Sequence, residues 1–290
     1  MTQIAVLTPD PDDHSYRSQW PQVLSRLTEA LAREGVTAAP TPWTEHVQDA
    51  SGLLAYPLVL PVIAWGYHRD HERWLEACET WDRVGAPLAN PAAVLRWNSD
   101  KSYLRRLAGR GVPIPPTLWA TDPTAADIEA AFAETDAETL VIKPTVSGGA
   151  WRTVRLARGE APAPFTGPAM IQPYLSAIET EGETSLLFFG GRLSHAVNKR
   201  PVDGDFRIQV QFGGQYVGVE PAPEAMALAD QVLAAIDEDL LYARIDMARD
   251  AQGRWVLMEA ELIEPDFYLA HDPAGGAGFA RAVRARLAAD

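Results

Sequence analysis

Tyr242-Ala243-Arg244-Ile245-Asp246-Met247 and Val256-Leu257-Met258-Glu259-Ala260-Glu261 are two largely apolar runs with charges set into them, joined across Asp250-Ala251-Gln252-Gly253. Each run reads as a strand, and the Asp/Gly-bearing joint reads as a tight turn, so the pair predicts a hairpin. Residues two apart on a strand share a face. Glu259 and Glu261 therefore project together, and the partner strand can bring Asp246 beside them. Carboxylates packed this closely repel one another unless a cation lies between them. Hard oxygen ligands suit Mg²⁺, which is usually held by one or two carboxylates plus substrate phosphates. The competing reading is a solvated acidic strand face.

Upstream, Leu140-Val141-Ile142-Lys143-Pro144 runs into Thr145-Val146-Ser147-Gly148-Gly149-Ala150. A lysine at the end of a β-branched strand, followed by Ser-Gly-Gly, fits a phosphate clamp. The glycines let backbone N–H groups approach phosphate oxygens and the lysine adds a point charge. It is not the Walker pattern, which puts Gly-Lys-Ser/Thr after the loop. A hairpin turn carrying a surface lysine is the alternative. Further cations are Lys101, Lys199, Arg200 and Arg207, and the order along the chain is Lys101, Lys143, Lys199, Arg207, Asp246, Glu259, Glu261.

Toward the N-terminus, Ile4-Ala5-Val6-Leu7-Thr8 predicts a buried strand. Trp20, Val23, Leu24, Leu27 and Leu31 predict a helix stopping near Gly35. A second strand is expected over 58–63, with Pro61 marking an edge or an end, and a second helix carries Trp74, Leu75, Cys78, Trp81 and Val84 up to Gly85. This alternation implies a parallel α/β layer. The texture then changes. Asn98-Ser99-Asp100-Lys101 resembles a helix start capped by Ser99 or Asp100, Pro113, Pro115 and Pro116 force an extended exit, and a helix is expected over 124–133. Strands dominate from 173 on, with helices expected at Pro223–Ile236 and over 273–289. The expected division is 1–97, 98–172 and 173–290.

Composition narrows the function. In 290 residues, 47% are hydrophobic and 22% charged, which excludes wholesale disorder. The net charge of −14 disfavours nucleic acid and anionic membranes, so any anionic ligand needs local positive charge. The single cysteine, Cys78, excludes an intrachain disulfide; lying between two tryptophans on a helix face, it reads as packing rather than a nucleophile. The most apolar stretch, 53–65, is short and broken by Pro57 and Pro61, and the N-terminus lacks a signal-peptide pattern, so the expected location is the cytoplasm.

The ordered cations and acids resemble the ATP-grasp superfamily, on its glutathione synthetase and ribosomal-protein-modifying ligase side, over roughly residues 90 to 270. The matching pieces are Asp100-Lys101 through Pro116-Thr117, Val141-Ile142-Lys143-Pro144, Ile171-Gln172-Pro173-Tyr174-Leu175, Asp205-Phe206-Arg207, and Asp246 with Glu259-x-Glu261. Asn90-Pro91, Trp97-Asn98-Ser99-Asp100-Lys101 and Leu257 to Pro265 look like the small group that contains the cyclo-ligase of D-cycloserine biosynthesis. The resemblance implies an α/β (α+β) ATP-grasp fold: a parallel α/β domain, a small central lid subdomain and a C-terminal antiparallel-sheet domain.

It also implies roles. Lys101 and Lys143 would hold ATP phosphates under a mobile loop, Ser147-Gly148-Gly149. The backbone of Gln172, Pro173, Tyr174 and Leu175 would read adenine, and Glu183, rather than Glu179, would bind the ribose. Lys199 would reach phosphate, Arg207 the γ-phosphate or acyl-phosphate, and Arg244 would assist or simply pair with Asp246. Asp246, Glu259 and Glu261 would bind Mg²⁺, about two ions on charge balance, with Mn²⁺ as a substitute. Glu261 stands where relatives often have Asn.

The reaction so implied joins a small-molecule carboxylate to an amine through an acyl-phosphate, within one molecule or between two; a homodimer is common for the fold. Rivals are a phosphotransferase and a non-catalytic nucleotide sensor. Relatives in the narrower group tend to carry Arg-Ser/Thr-x-Trp-Asp-Tyr after the third N-terminal strand. Here Pro61-Val62-Ile63-Ala64-Trp65-Gly66-Tyr67-His68 keeps aromatics and lacks the arginine and aspartate, which leaves Trp65, Tyr67, His68 and Arg69 as candidate substrate wall. His68 and His71 have a zinc-like spacing without further ligands, and His195 reads as structural.

Overall fold

The computed structural model describes residues 1–202 and 213–289. Asp205, Phe206 and Arg207, with the role expected of Arg207, lie outside the described residues. The first layer is parallel. β1 (Thr2–Thr8) is followed by α1 (Trp20–Ala32), β2 (Val36–Pro42) and β3 (Val59–Leu60), in the sheet order β2-β1-β3. Leu27 and Leu31 of α1 bury against Ile4 and Val6 of β1, the face the helical spacing selects.

Two corrections belong here. The strand expected over 58–63 is only Val59–Leu60, because Pro61 has no N–H to continue the ladder. β2 was not anticipated: Pro40 and Pro42 mask it, and they are tolerated because it pairs only with β1, at the sheet edge.

α2 (His71–Val84) buries Trp74, Cys78 and Trp81 and ends at Gly85, whose left-handed conformation (φ 67°) closes the helix. Cys78 is packing, its thiol pushed up by burial. α3 (Ala92–Asn98) and α4 (Tyr103–Gly109) follow. The helix start expected at 98–101 is displaced: Asn98 closes α3, Asp100 accepts from the Ser102 N–H (2.8 Å), and α4 begins at Tyr103. Lys101 therefore sits in the joint between two helices.

A four-stranded sheet comes next, β4-β7-β5-β6, from β4 (Leu118–Ala120), β5 (Thr139–Pro144), β6 (Val154–Ala157) and β7 (Ala169–Pro173). It is covered by α5 (Ala125–Thr135), whose N-terminus is a capping box of Thr124 and Asp127. After the short α6 (Ala177–Thr180) the chain forms a five-stranded antiparallel sheet, β10-β9-β8-β11-β12, from β8 (Glu183–Phe189), β9 (Arg192–Arg200), β10 (Gln215–Val219), β11 (Tyr242–Arg249) and β12 (Trp255–Glu261). The opening hairpin is β11–β12, with Asp246 opposite Glu259 and a bulge just beyond. α7 (Pro223–Ile236) packs on this sheet. α8 (Ala277–Ala289), starting later than expected, buries Phe279 and Val283 against both Ile4 of β1 and Phe189 of β8, so one core joins the first and last layers. Among the described residues no helix is long and apolar enough to cross a membrane.

Candidate active site

The two antiparallel sheets, with α1 and connecting loops of the first layer, line a cavity of about 660 Å³. Its wall contains every described residue singled out above for nucleotide, metal or catalysis. Lys101 comes from the α3–α4 joint, Lys143 from β5, residues 147–149 from the loop after it, residues 172–175 from β7 and its exit, and the charged set from the five-stranded sheet.

That charged set is one connected network. Glu183 and Ser185 lie two apart on β8, and Lys199 on β9 is in register with Glu183, while Asp246 on β11 is in register with Ser185. Asp246 is 3% exposed and accepts from Ser185 Oγ (2.5 Å), Lys199 Nζ (3.2 Å), Arg244 Nε (3.0 Å) and Arg244 Nη2 (2.9 Å). Burial works to raise this carboxyl, but Arg244 and Lys199 outweigh it and hold the group well below the usual carboxylate range. Lys199 also meets Glu183 at 2.6 Å. Burial opposes its charge, yet Asp246 and Glu183 push the ammonium well above its ordinary value. Arg244 joins Asp246 to Glu261, so its expected pairing with Asp246 is real and extends further.

Lys101 Nζ is 2.8 Å from Glu259 and 3.0 Å from the Ser147 carbonyl, tying the helix joint to both β12 and the Ser-Gly-Gly loop. In this arrangement each of Asp246, Glu259 and Glu261 faces a side-chain cation, and among the described residues no three His, Cys, Asp or Glu side chains are spaced to hold a metal ion as they stand. The donors fit a hard divalent ion in kind and placement: carboxylate oxygens only, on two paired strands.

Lys143 differs from the other cations. Burial depresses its ammonium, Glu183 and Glu259 only partly offset this, and among the described residues no hydrogen bond or ion pair holds its side chain. Close by, the wall is apolar, with Val141, Met170, Leu175, Ile178 and Met258. The Gln172 side chain is engaged, donating to Thr117 Oγ1 (2.9 Å), and the Tyr174 N–H is used on the Thr139 carbonyl, which narrows the backbone available at this end. Glu179 lies off the cavity, bonded to Tyr174 Oη (2.9 Å) and Arg155 (3.3 Å).

On the opposite side, Trp65, Tyr67 and His68 line the cavity. Arg69 does not: its guanidinium is spent on Asp13 (2.9 Å) and Ser15 (2.8 Å), a correction to its expected place in the wall. His68 is 8% exposed, and burial together with Arg69 and Lys101 lowers it to about 4. His71 bonds Ser99 Oγ (2.8 Å), and His195 bonds the Phe267 carbonyl (2.8 Å), a structural role. Several wall residues had no role assigned from the sequence: Tyr268, Glu264, Gln19 at the cap of α1, and Val23 and Arg26 on it. Ser185, which bonds Asp246 from the neighbouring strand, had none either. For Ser185 the signal was available, since it stands two residues from Glu183 on the same strand.

A sequence model of the N-terminal domain of D-cycloserine synthetase DcsG matches residues 4–90. The cycloserine biosynthesis protein DcsG of Streptomyces lavendulae is 30% identical over 282 residues, covering 90% of this chain and 92% of the relative. A probable alpha-L-glutamate ligase of Legionella pneumophila (strain Corby) is 29% identical over 220 residues, 73% of this chain and 70% of the relative. The crystal structure of D-cycloserine synthetase DcsG superposes with a TM-score of 0.81 at 26% identity, covering 98% of this chain and 99% of that one. D-alanine–D-alanine ligase from Bacillus anthracis shares the fold over the full length of both chains, with a TM-score of 0.72 at 15% identity. With the 30% identity to the Streptomyces protein sustained over 90% of its length, the chain belongs to the DcsG family of ATP-grasp ligases.

Proposed function

We propose that this chain is a cytoplasmic ATP- and Mg²⁺-dependent ligase that activates the carboxylate of a small amino-acid-like substrate as an acyl-phosphate and passes it to an amine. The observation that carries the reading is Lys143: a cation in a cavity wall, beside a Ser-Gly-Gly loop and in no ion pair among the described residues, calls for an anion. The apolar slot of Val141, Met170, Leu175 and Ile178 suits a flat base.

Asp246, Glu259 and Glu261 would hold Mg²⁺, which when bound supplies neutralising charge for the phosphates. Lys101 and Lys199, now paired with those acids, are placed to turn to phosphate oxygens. A substrate carboxylate oxygen attacks the γ-phosphorus and the bond to ADP breaks. The amine nitrogen then attacks the acyl carbon, the C–O bond to phosphate breaks, and the amine proton passes to solvent. Arg244 and Lys199 offset charge on the transferring group; the rest is positioning.

Ring closure within one molecule draws support from the relative named a D-cycloserine synthetase. Product mass separates the two outcomes, because cyclisation loses water from a single substrate. The test is ADP release with Mg²⁺ across a panel of amino acids, run with and without hydroxylamine. A hydroxamate is expected. Absence of ATP binding at millimolar concentration, or ADP release with a phosphorylated product and no hydroxamate, overturns the reading.

A further inference from the structure

Among the described carboxylates lining the cavity, Glu264 alone has neither a hydrogen bond nor an ion pair at its side chain. Its neighbours are all engaged: Glu183 with Lys199, Asp246 with Arg244, Glu259 with Lys101, Glu261 with Arg244, and Asp266 with the Tyr268 N–H. Its position is fixed from two sides. It lies three residues past the end of β12, and its carbonyl accepts from Trp65 Nε1 of the N-terminal layer (3.4 Å).

The carboxylate is short of positive charge. Burial is the main cause that raises it, to about 8; Arg244 opposes this, and Glu259 adds repulsion. It also stands among aromatic rings: the Trp65 indole donates to the Glu264 carbonyl, and Tyr16 and Tyr67 line the same cavity. The Glu264 charge is one of the causes, besides burial, that raise the phenols of Tyr16 and Tyr67. Tyr16 and Trp65 stand with ring centroids 5.5 Å apart on the same cavity wall.

A second metal ion would want further oxygen ligands, and rings supply none. A carboxylate in an aromatic-lined part of a cavity suits an organic ammonium, which gains a charge-assisted hydrogen bond from the first and cation–π attraction from the second.

We propose that Glu264, walled by Tyr16, Trp65 and Tyr67, binds the free ammonium of an amino-acid substrate. This rests on the ligase reading above and narrows it to substrates that keep a protonated amine. Such an ammonium does not attack, so the nitrogen that forms the new bond is a different one.

The test is calorimetric titration of the full chain, saturated with MgADP, with alanine and serine of both hands and with propanoate and 3-hydroxypropanoate, up to about 100 mM. Glu264→Gln keeps the shape and removes the charge; unchanged MgADP binding by this variant checks that it folds. At least one amino acid should bind the wild type about tenfold more tightly than its counterpart without the amine, and Glu264→Gln should erase that preference. Equal affinity for the paired compounds, no binding of any amino acid, or a preference retained by Glu264→Gln overturns the proposal. If wild type fails to bind MgADP, the ligase reading itself falls and the proposal with it.

Discussion

On the sheet side of the cavity, Glu183, Lys199, Arg244 and Asp246 sit on paired strands and neutralise one another. On the facing side, Trp65, Tyr67 and His68 sit beyond a two-residue strand and around a single 3-10 turn, held by packing. Strand register places a charge to within a side chain's reach, and each partner fixes the next. The opposite wall has no such grid, so its shape follows whatever loops cover it. The contrast predicts that phosphate chemistry depends on the first wall and substrate choice on residues outside its grid, Glu264 among them.

The sharpest way to break this contrast is Asp246→Ala. It leaves Lys199 and Arg244 buried with one counter-ion fewer each, so a stability loss of about 3–5 kcal/mol is expected, alongside abolished turnover. Denaturant unfolding and ADP release check both. Retained stability would mean that the network is not mutually dependent.

Lys143→Met separates function from stability on the same wall. Lys143 has no partner to lose and its burial already opposes its charge, so the melting temperature should hold or rise. ATP-dependent turnover should fall by roughly two orders of magnitude or more, as a charge-assisted phosphate contact is removed. A large stability loss with normal ATP binding would move Lys143 out of the nucleotide site.

Much of the sheet side was legible in the sequence. Alternation assigns Glu259 and Glu261 to one face, and the Asp250–Gly253 turn sets the hairpin that brings Asp246 alongside. What local pattern does not contain is partner choice. That Lys101 meets Glu259, that Arg69 is taken up by Asp13, and that Glu264 is left without a partner are outcomes of tertiary packing between distant segments. β2 was hidden for a different reason: its prolines argue against a strand unless the edge position is known.

His68→Gln probes the other wall through pH. His68 titrates near 4 when folded, against 6.5 when free, so the unfolded chain takes up its proton first as the pH falls. The stability this costs is absent above pH 6.5 and grows to at most about 3 kcal/mol as the pH drops toward 4. His71 and His195 are also lowered by burial and act in the same direction in both proteins, so the measurement is the difference between wild type and variant: the wild-type melting temperature should fall relative to the variant's as the pH drops from 6.5 to 4.

The smallest effect expected is at the seam between the walls. A Cβ on Gly148 would lie 3.0 Å from the His68 ring, and Trp151, at the far end of the same loop, has its ring 5.9 Å from that of His68. Gly148→Ala should therefore displace the loop by a few tenths of an ångström, costing about 1 kcal/mol and raising the KM for ATP several-fold. The obstacle is a side chain rather than backbone, so shortening it should relieve the clash. In a His68→Ala background, Gly148→Ala should lose most of its effect, a coupling that a double-mutant cycle reads directly. Additive effects would mean that the loop is positioned from the sheet side alone, through the Lys101 contact to Ser147.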